Sequence, residues 1–313
     1  MRHGSVHDLA PTDARVVVIN VGTDLVATRA LLSGTEHTSL PVLLINGDPT
    51  AASSTHFNRL MDKYDFDIVD VAASHHGRFL DGLFTSTADS TLVLLDSDAE
   101  IRDASVAPWM LDMLAEPATF GAGWLEGPFW MDEDWSAPEH SMLYMERPWM
   151  PFVAFDVVAV RRALSAGRHF GEEMVPNEMA MWPRAAWLLA SRFGPPYGPY
   201  SPTLHRLPPA VRSWVAGRRL DVLERSRFPY YGLRPKIACY DTAGRVYEHL
   251  RFDEGLAFAG LDVRLLGDRV DHYGGITRHA RYGGTKLDRS EAEVADDARR
   301  CLREHYGLVW SAP

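Results

Sequence analysis

Short runs of apolar, mostly β-branched residues recur through the first hundred residues, and segments with helical spacing separate them. RVVVIN at 15–20 predicts a buried strand, and Asp24–Leu32 a helix stopped by Gly34. PVLLIN at 41–46 predicts a second strand closed by the turn Gly47-Asp48-Pro49, with an amphipathic helix over Thr55–Tyr64. DIVDV at 67–71 reads as a third strand, Gly77–Ser86 as a helix, and TLVLL at 91–95 as a fourth strand ending in Asp96-Ser97-Asp98. Continuous apolar strands joined by helices imply a parallel sheet covered on both faces. In such sheets ligands sit beyond the carboxyl ends of the strands, where Asp48, Asp96 and Asp98 fall.

From about Pro108 the pattern loosens. PFVAFDVVAV at 151–160 predicts a strand feeding a helix at Arg161-Arg162. Pro176–Pro235, dense in Trp, Pro, Arg and Tyr, reads as a helical insertion or lid. Tyr240–Gly260 is expected to be helical, Asp262–Leu266 a short strand, and Ser290–Tyr306 a charged amphipathic helix. Met1–Asp13, polar and without an apolar core, reads as a frayed leader.

Composition narrows the class. The 313 residues are 46% hydrophobic and 24% charged, as in globular chains, with a formal net charge of -10. That balance argues against nucleic acid as a partner, which calls for a basic footprint. Only three of the basic residues are lysines, against 29 arginines, the better fork for phosphate. The longest apolar stretches, Val16–Ile19, Val42–Ile45 and Leu92–Leu95, fall far short of the ~20 residues of a transmembrane span. Cys239 and Cys301 stand alone and far apart, which suits a reduced, cytoplasmic protein rather than a disulfide framework.

Two carboxylates one residue apart at the end of a buried strand suit a hard divalent cation that also holds a diphosphate. TLVLLDSDAEI at 91–101 resembles the end of the nucleotide-binding half of GT-A glycosyltransferases, especially the inverting family 2. VVVINVGTD at 16–24 takes the place of that family's first strand and loop, INGDPT at 45–50 that of its base-recognising turn, and HHGRFLDGL at 75–83 that of a further loop and helix. MPFVAFDVVAVRRAL at 150–164, the segment 240–266 and HYGG at 272–275 resemble the acceptor-side motifs in order. The resemblance implies a GT-A, Rossmann-like α/β fold, mostly parallel and flanked by helices, with an acceptor-side subdomain. The expected division is a nucleotide-sugar-binding half over 15–107, an acceptor-binding half over 108–289 with the insertion at 176–235, and a C-terminal helix over 290–313.

It further implies a metal-dependent, inverting transfer of a hexose-like sugar from a nucleotide-diphospho-sugar to a small-molecule, glycan or lipid-linked acceptor, with Mn²⁺ or Mg²⁺. Asp96, Asp98 and His272 are the implied metal ligands. Asn20, Asp48, His76, Arg78, Asp96, Arg278 and Arg281 are the implied donor-binding residues, with His75 beside them. Asp48 either accepts a hydrogen bond from the base or caps its own turn. The basic, glycine-flanked run 272–286 either closes over a diphosphate or is a plain surface loop. His249 stands where the family carries its catalytic Asp; imidazole can serve as a base, with Glu248 and Asp241 as alternatives. Trp124, Trp130, Trp135 and Trp149 are either acceptor platforms or core, and core is the commoner role for each. Two rival readings are a catalytically idle sugar-nucleotide binder and a sugar-nucleotide pyrophosphorylase. The second lacks its Arg- and Lys-bearing glycine loop at Asn20–Asp24.

Overall fold

The computed structural model describes residues 1–72, 76–130, 142–176, 237–260, 269–273 and 290–310. The chain divides into two units that do not follow its order: one of residues 1–126, 147–171 and 242–313, the other of 127–146 and 172–241.

The first unit is built on an eight-stranded sheet. Its leading strands are β1 (Arg2–His3), β2 (Ala14–Val21), β3 (Val42–Gly47), β4 (Asp67–Val71) and β5 (Thr91–Asp96). The short β6 (Ala99–Ile101), β7 (Thr119–Glu126) and, in the second unit, β8 (Phe129–Trp130) and β9 (Met142–Tyr144) follow, then β10 (Arg147–Asp156). Later come β11 (Glu173–Pro176), β12 (Ile237–Tyr240), β13 (Ala257–Gly260) and β14 (Val270–His272). Spatial order in the main sheet is β1-β4-β3-β2-β5-β10-β7-β13. Only β10 runs against its neighbours, β5 and β7.

Alternation along each strand divides the core into two layers. Val17, Ile19, Leu92, Leu94, Val153 and Phe155 face one side. There α3 (His76–Ser86), α5 (Val157–Ser165) and α6 (Gly244–Glu248) bury Leu80, Phe84, Val160, Val246 and Tyr247. Val16, Val18, Leu44, Val93, Leu95 and Ala154 face the other, under α1 (Asp24–His37), α2 (Ala51–Met61) and α4 (Val106–Leu114). The last helix, α7 (Glu291–Tyr306), opens on a Ser290–Glu293 capping box and ends at Gly307, whose φ of 62° a glycine adopts freely.

Several expectations from sequence are corrected. Residues 2–3 are not frayed: they pair in parallel with Ile68 and Val69 and extend the sheet. α1 does not stop at Gly34 but runs to His37, with that glycine buried inside the helix. The stretch 240–260 is only partly helical. α6 passes into a π-helical turn, His249–Asp253, and residues 257–260 then form an edge strand whose Phe258 covers Gly121. β6 and β14 were not legible at all. Asp262–Leu266, most of the insertion 176–235 and the run 274–286 lie outside the described residues.

The second unit holds a four-stranded sheet in the order β11-β12-β9-β8, packed through Leu143, Met145, Ala238 and Tyr240. Both Cys239 and Cys301 are buried. Among the described residues no helix is long and apolar enough to cross a membrane.

Candidate active site

The carboxyl ends of the parallel strands gather polar side chains in a row. Asn20 on β2 stands opposite Asn46 on β3, which stands opposite Asp70 on β4. The Asn20 amide donates to Asn46 Oδ1 at 2.9 Å and Asp24 Oδ1 at 2.7 Å, while its oxygen accepts the Thr23 N–H at 3.1 Å. Asn46 donates onward to Asp70 Oδ1 at 3.1 Å, and the Ser53 hydroxyl donates to Asp24 at 3.0 Å. Asn20 is fully buried with both amide atoms engaged. Within the protein it therefore shapes the loop after β2. Asp48 is exposed just beyond β3 in the left-handed region, φ 48°, and its N–H donates to the Val71 carbonyl at 2.9 Å. Asp tolerates that conformation better than most residues.

β5 ends at Asp96, opposite Ile19. Asp98 follows two residues on and is 2% exposed. β14 returns antiparallel to β6 and sets His272 opposite Ala99, with its Nε2 3.5 Å from Asp98 Oδ1. The other carboxylate oxygen, Asp98 Oδ2, is buried without a hydrogen-bond partner. An acceptor left bare in this way costs stability and marks a place where a cation or donor belongs.

Charges from several elements meet here. Burial, together with the neighbouring Asp98 charge, pushes the Asp96 carboxyl up, against the pull of His76, His272 and Arg147. Burial lowers His272, but the bond to Asp98 and the charges of Asp98, Asp96 and Glu126 outweigh it, and the imidazole lies above its ordinary 6.5. Arg147, at the start of β10, pairs with Glu126 at 2.7 Å, where β7 ends. Trp149 is nearly buried, edge-on to His272 at 5.2 Å and tilted against Trp124 at 5.2 Å. Both indoles pack in or against the core. The Trp130 side chain and Trp135 lie outside the described residues.

The structure thus brings together Asp96, Asp98, His272 and His76, sets Trp149 beside them, and adds Arg147 and Glu126, which no motif marked. Arg78, on the first turn of α3, is exposed. Gly77 beside it lies so close to Gly171 that a Cβ would come within 2.3 Å of the Gly171 Cα, which fixes the start of that helix. His75, Arg278 and Arg281 lie outside the described residues.

The three base candidates have different partners. His249 is held by acids of its own segment, Nδ1 at 2.8 Å from Asp253 and Nε2 at 3.4 Å from Glu254. Glu248 is buried and takes Arg245 Nη1 at 2.7 Å. Asp241 belongs to the second unit, where the Tyr144 hydroxyl donates to its Oδ2. Among the described residues no three His, Cys, Asp or Glu side chains form a metal cage by themselves.

No protein-family model matches the sequence, and no curated protein matches it. Similar solved structures include the mannosyltransferase PcManGT from Pyrobaculum calidifontis in complex with GDP-Man and Mn²⁺, 13% identical over 48% of this chain and 46% of that one, with a TM-score of 0.38. S. aureus TarS 1-349 is 9% identical over 48% and 49%, with a TM-score of 0.36. The 4-diphosphocytidyl-2C-methyl-D-erythritol synthase of Anaerococcus prevotii is 9% identical over 49% and 74%, with a TM-score of 0.33. The matches span less than half the length of the first two proteins. Overlap at this level assigns no activity to the chain.

Proposed function

We propose that this chain is a glycosyltransferase that takes a sugar from a nucleotide-diphospho-sugar in the presence of a divalent cation. The observation that carries the reading is the Asp96–Asp98–His272 cluster at the carboxyl end of a central parallel strand, with a buried Asp98 oxygen that nothing else satisfies. Mn²⁺ or Mg²⁺ fits such a set. A cation that keeps positions for diphosphate oxygens and water needs only one or two carboxylates from the protein. Asp98 and His272 would hold it, with Asp96 adding charge, and bound there it would neutralise the departing diphosphate. Arg147 and His76 add positive charge beside the same carboxylate. Asp48, exposed beyond β3, is assigned to the base of the nucleotide, and Arg78, Arg278 and Arg281 to the diphosphate.

Inversion would need a base to take the proton of the acceptor nucleophile. Loss of such a group typically costs 10²- to 10⁴-fold in rate. With both ring nitrogens of His249 set against acids, His249→Ala is expected to keep most of its turnover, and the large loss to fall on Asp241→Asn. Steady-state rates of the two variants and of Glu248→Gln decide among the three. A loss on the His249→Ala side would restore the imidazole as base.

The same engagement of His249 keeps one rival open, a sugar-nucleotide binder without turnover. A thermal-shift panel of nucleoside diphosphates with and without Mn²⁺ tests the binding common to both. One diphosphate should raise Tm only with the metal present. Asp48→Ala should then weaken the nucleotide and leave the Mn²⁺ affinity alone. A nucleotide Kd within twofold of the unmodified chain would return Asp48 to a plain turn residue.

A further inference from the structure

His272 rides on a very short ladder. Among the described residues β14 pairs with β6 through Val270–Ile101, Asp271–Glu100 and His272–Ala99 alone. So few pairs hold a register poorly, and a slip by one would turn each β14 side chain to the opposite face. His272 faces Trp149, and the next residue faces the other way.

That residue, Tyr273, is 2% exposed and gripped at three points. Its N–H donates to the Asp98 carbonyl at 2.9 Å, its hydroxyl donates to Glu100 Oε2 at 2.8 Å, and the Arg29 guanidinium lies 4.7 Å above its ring. Glu100 Oε2 also accepts Arg29 Nη2 at 2.5 Å, and Arg29 Nη1 reaches Asp297 of α7 at 3.0 Å. Val26, Val294 and Ala298 pack around the same ring. Charges taken out of water are costly, and apolar residues of similar volume often serve stability as well or better. The attested use of a buried ionic group is to fix one register among several.

We propose that Glu100, Arg29 and Tyr273 are positioning residues that lock the β6–β14 register and so hold His272 against Asp98. This rests on reading that end of β5 as a metal and diphosphate site. Partners standing behind metal ligands typically change metal affinity by 10- to 100-fold when removed.

The test uses the full chain and Mn²⁺ alone, with free Mn²⁺ followed by electron paramagnetic resonance. Tyr273→Phe keeps the ring under Arg29 and removes only the hydroxyl. It should weaken Mn²⁺ binding by roughly tenfold or more, and Glu100→Gln by at least as much. In a double-mutant cycle, Tyr273→Phe should add little to His272→Ala, because the lock acts through that imidazole. Leu83→Ala, a cavity in the opposite core layer, should lower Tm and leave Mn²⁺ affinity unchanged. Unmodified affinity in Tyr273→Phe, or a loss that adds in full to that of His272→Ala, overturns the lock. Should Glu100→Gln fail to fold, the Tyr273→Phe cycle decides alone. Absence of Asp98-dependent Mn²⁺ binding in the unmodified chain is a different result, and it removes the metal site together with the lock.

Discussion

Asp98→Ala is expected to abolish metal-dependent binding of nucleoside diphosphate, and turnover with it, while the fold survives. The two effects separate because Asp98 is poorly served as a structural residue. Among the described residues one of its oxygens is buried without a hydrogen-bond partner, and the other lies 3.5 Å from His272. Removing a buried charge that lacks full compensation costs little and can stabilise. Tm without metal should therefore stay level or rise. His272 supplies a further readout. Its raised pKa means that the pair's contribution is complete below 6.5, the ordinary value, and is lost as pH rises through the folded value. In Asp98→Ala that limb of the stability profile should flatten. Full activity in the variant would remove Asp98 from the site.

Asp89→Ala should do the reverse, costing stability and sparing the site. Asp89 accepts Arg15 Nε at 2.8 Å, the Thr12 N–H at 2.8 Å and hydroxyl at 2.7 Å, and the Thr87 hydroxyl at 2.8 Å. Arg15, the second residue of β2, is 2% exposed, with Nη2 donating to the Ala10 carbonyl at 2.7 Å. Truncating one partner of such a pair leaves a buried guanidinium short of its main acceptor, a loss of about 3–5 kcal/mol. Chemical denaturation measures it, and Mn²⁺ affinity of the folded fraction should be unchanged. Burial pushes the Asp89 carboxyl up, but Arg15 and the two threonines outweigh it and hold it below 3.8. Its stabilisation is then present above the ordinary carboxylate range and lost as pH falls through the depressed value. Asp67 and Glu100 are depressed in the same sense. The unmodified chain should lose stability on acidification, with a shallower acid limb in Asp89→Ala. An unchanged denaturation midpoint would contradict the assignment.

The sequence carried most of the first unit because parallel strands buried on both faces leave unbroken apolar runs such as VVVI and LVLL. The same runs located the Asp96–Asp98 pair, since each ends where the sheet meets solvent. What the sequence hid was short or dependent on distant partners. β6 and β14 have three residues each, too few for any period, and their pairing alone brings His272 to Asp98. AFAG at 257–260 reads as the end of a helix, and forms a strand where Phe258 meets Gly121 at the sheet edge. Gly34 carries a stop signal in sequence, yet it is buried within a helix that runs on to His37, where tertiary context outweighs local propensity. Arg147, Glu126 and the Arg29–Glu100–Tyr273 lock are assembled from residues far apart in the chain, and no local spacing marks them. Glu100 alone left a trace, as the third acid in the alternation Asp96, Asp98, Glu100.

Release of nucleoside diphosphate from a panel of sugar nucleotides, by the purified full chain with Mn²⁺ and again with a chelator, tests the central claim most directly. The account predicts turnover of at least one donor, as transfer to an added acceptor or slow hydrolysis to water, that stops with the chelator and in Asp98→Ala. Saturable, metal-dependent binding of the donor with no release of diphosphate under any condition would contradict it and leave a binder on this fold.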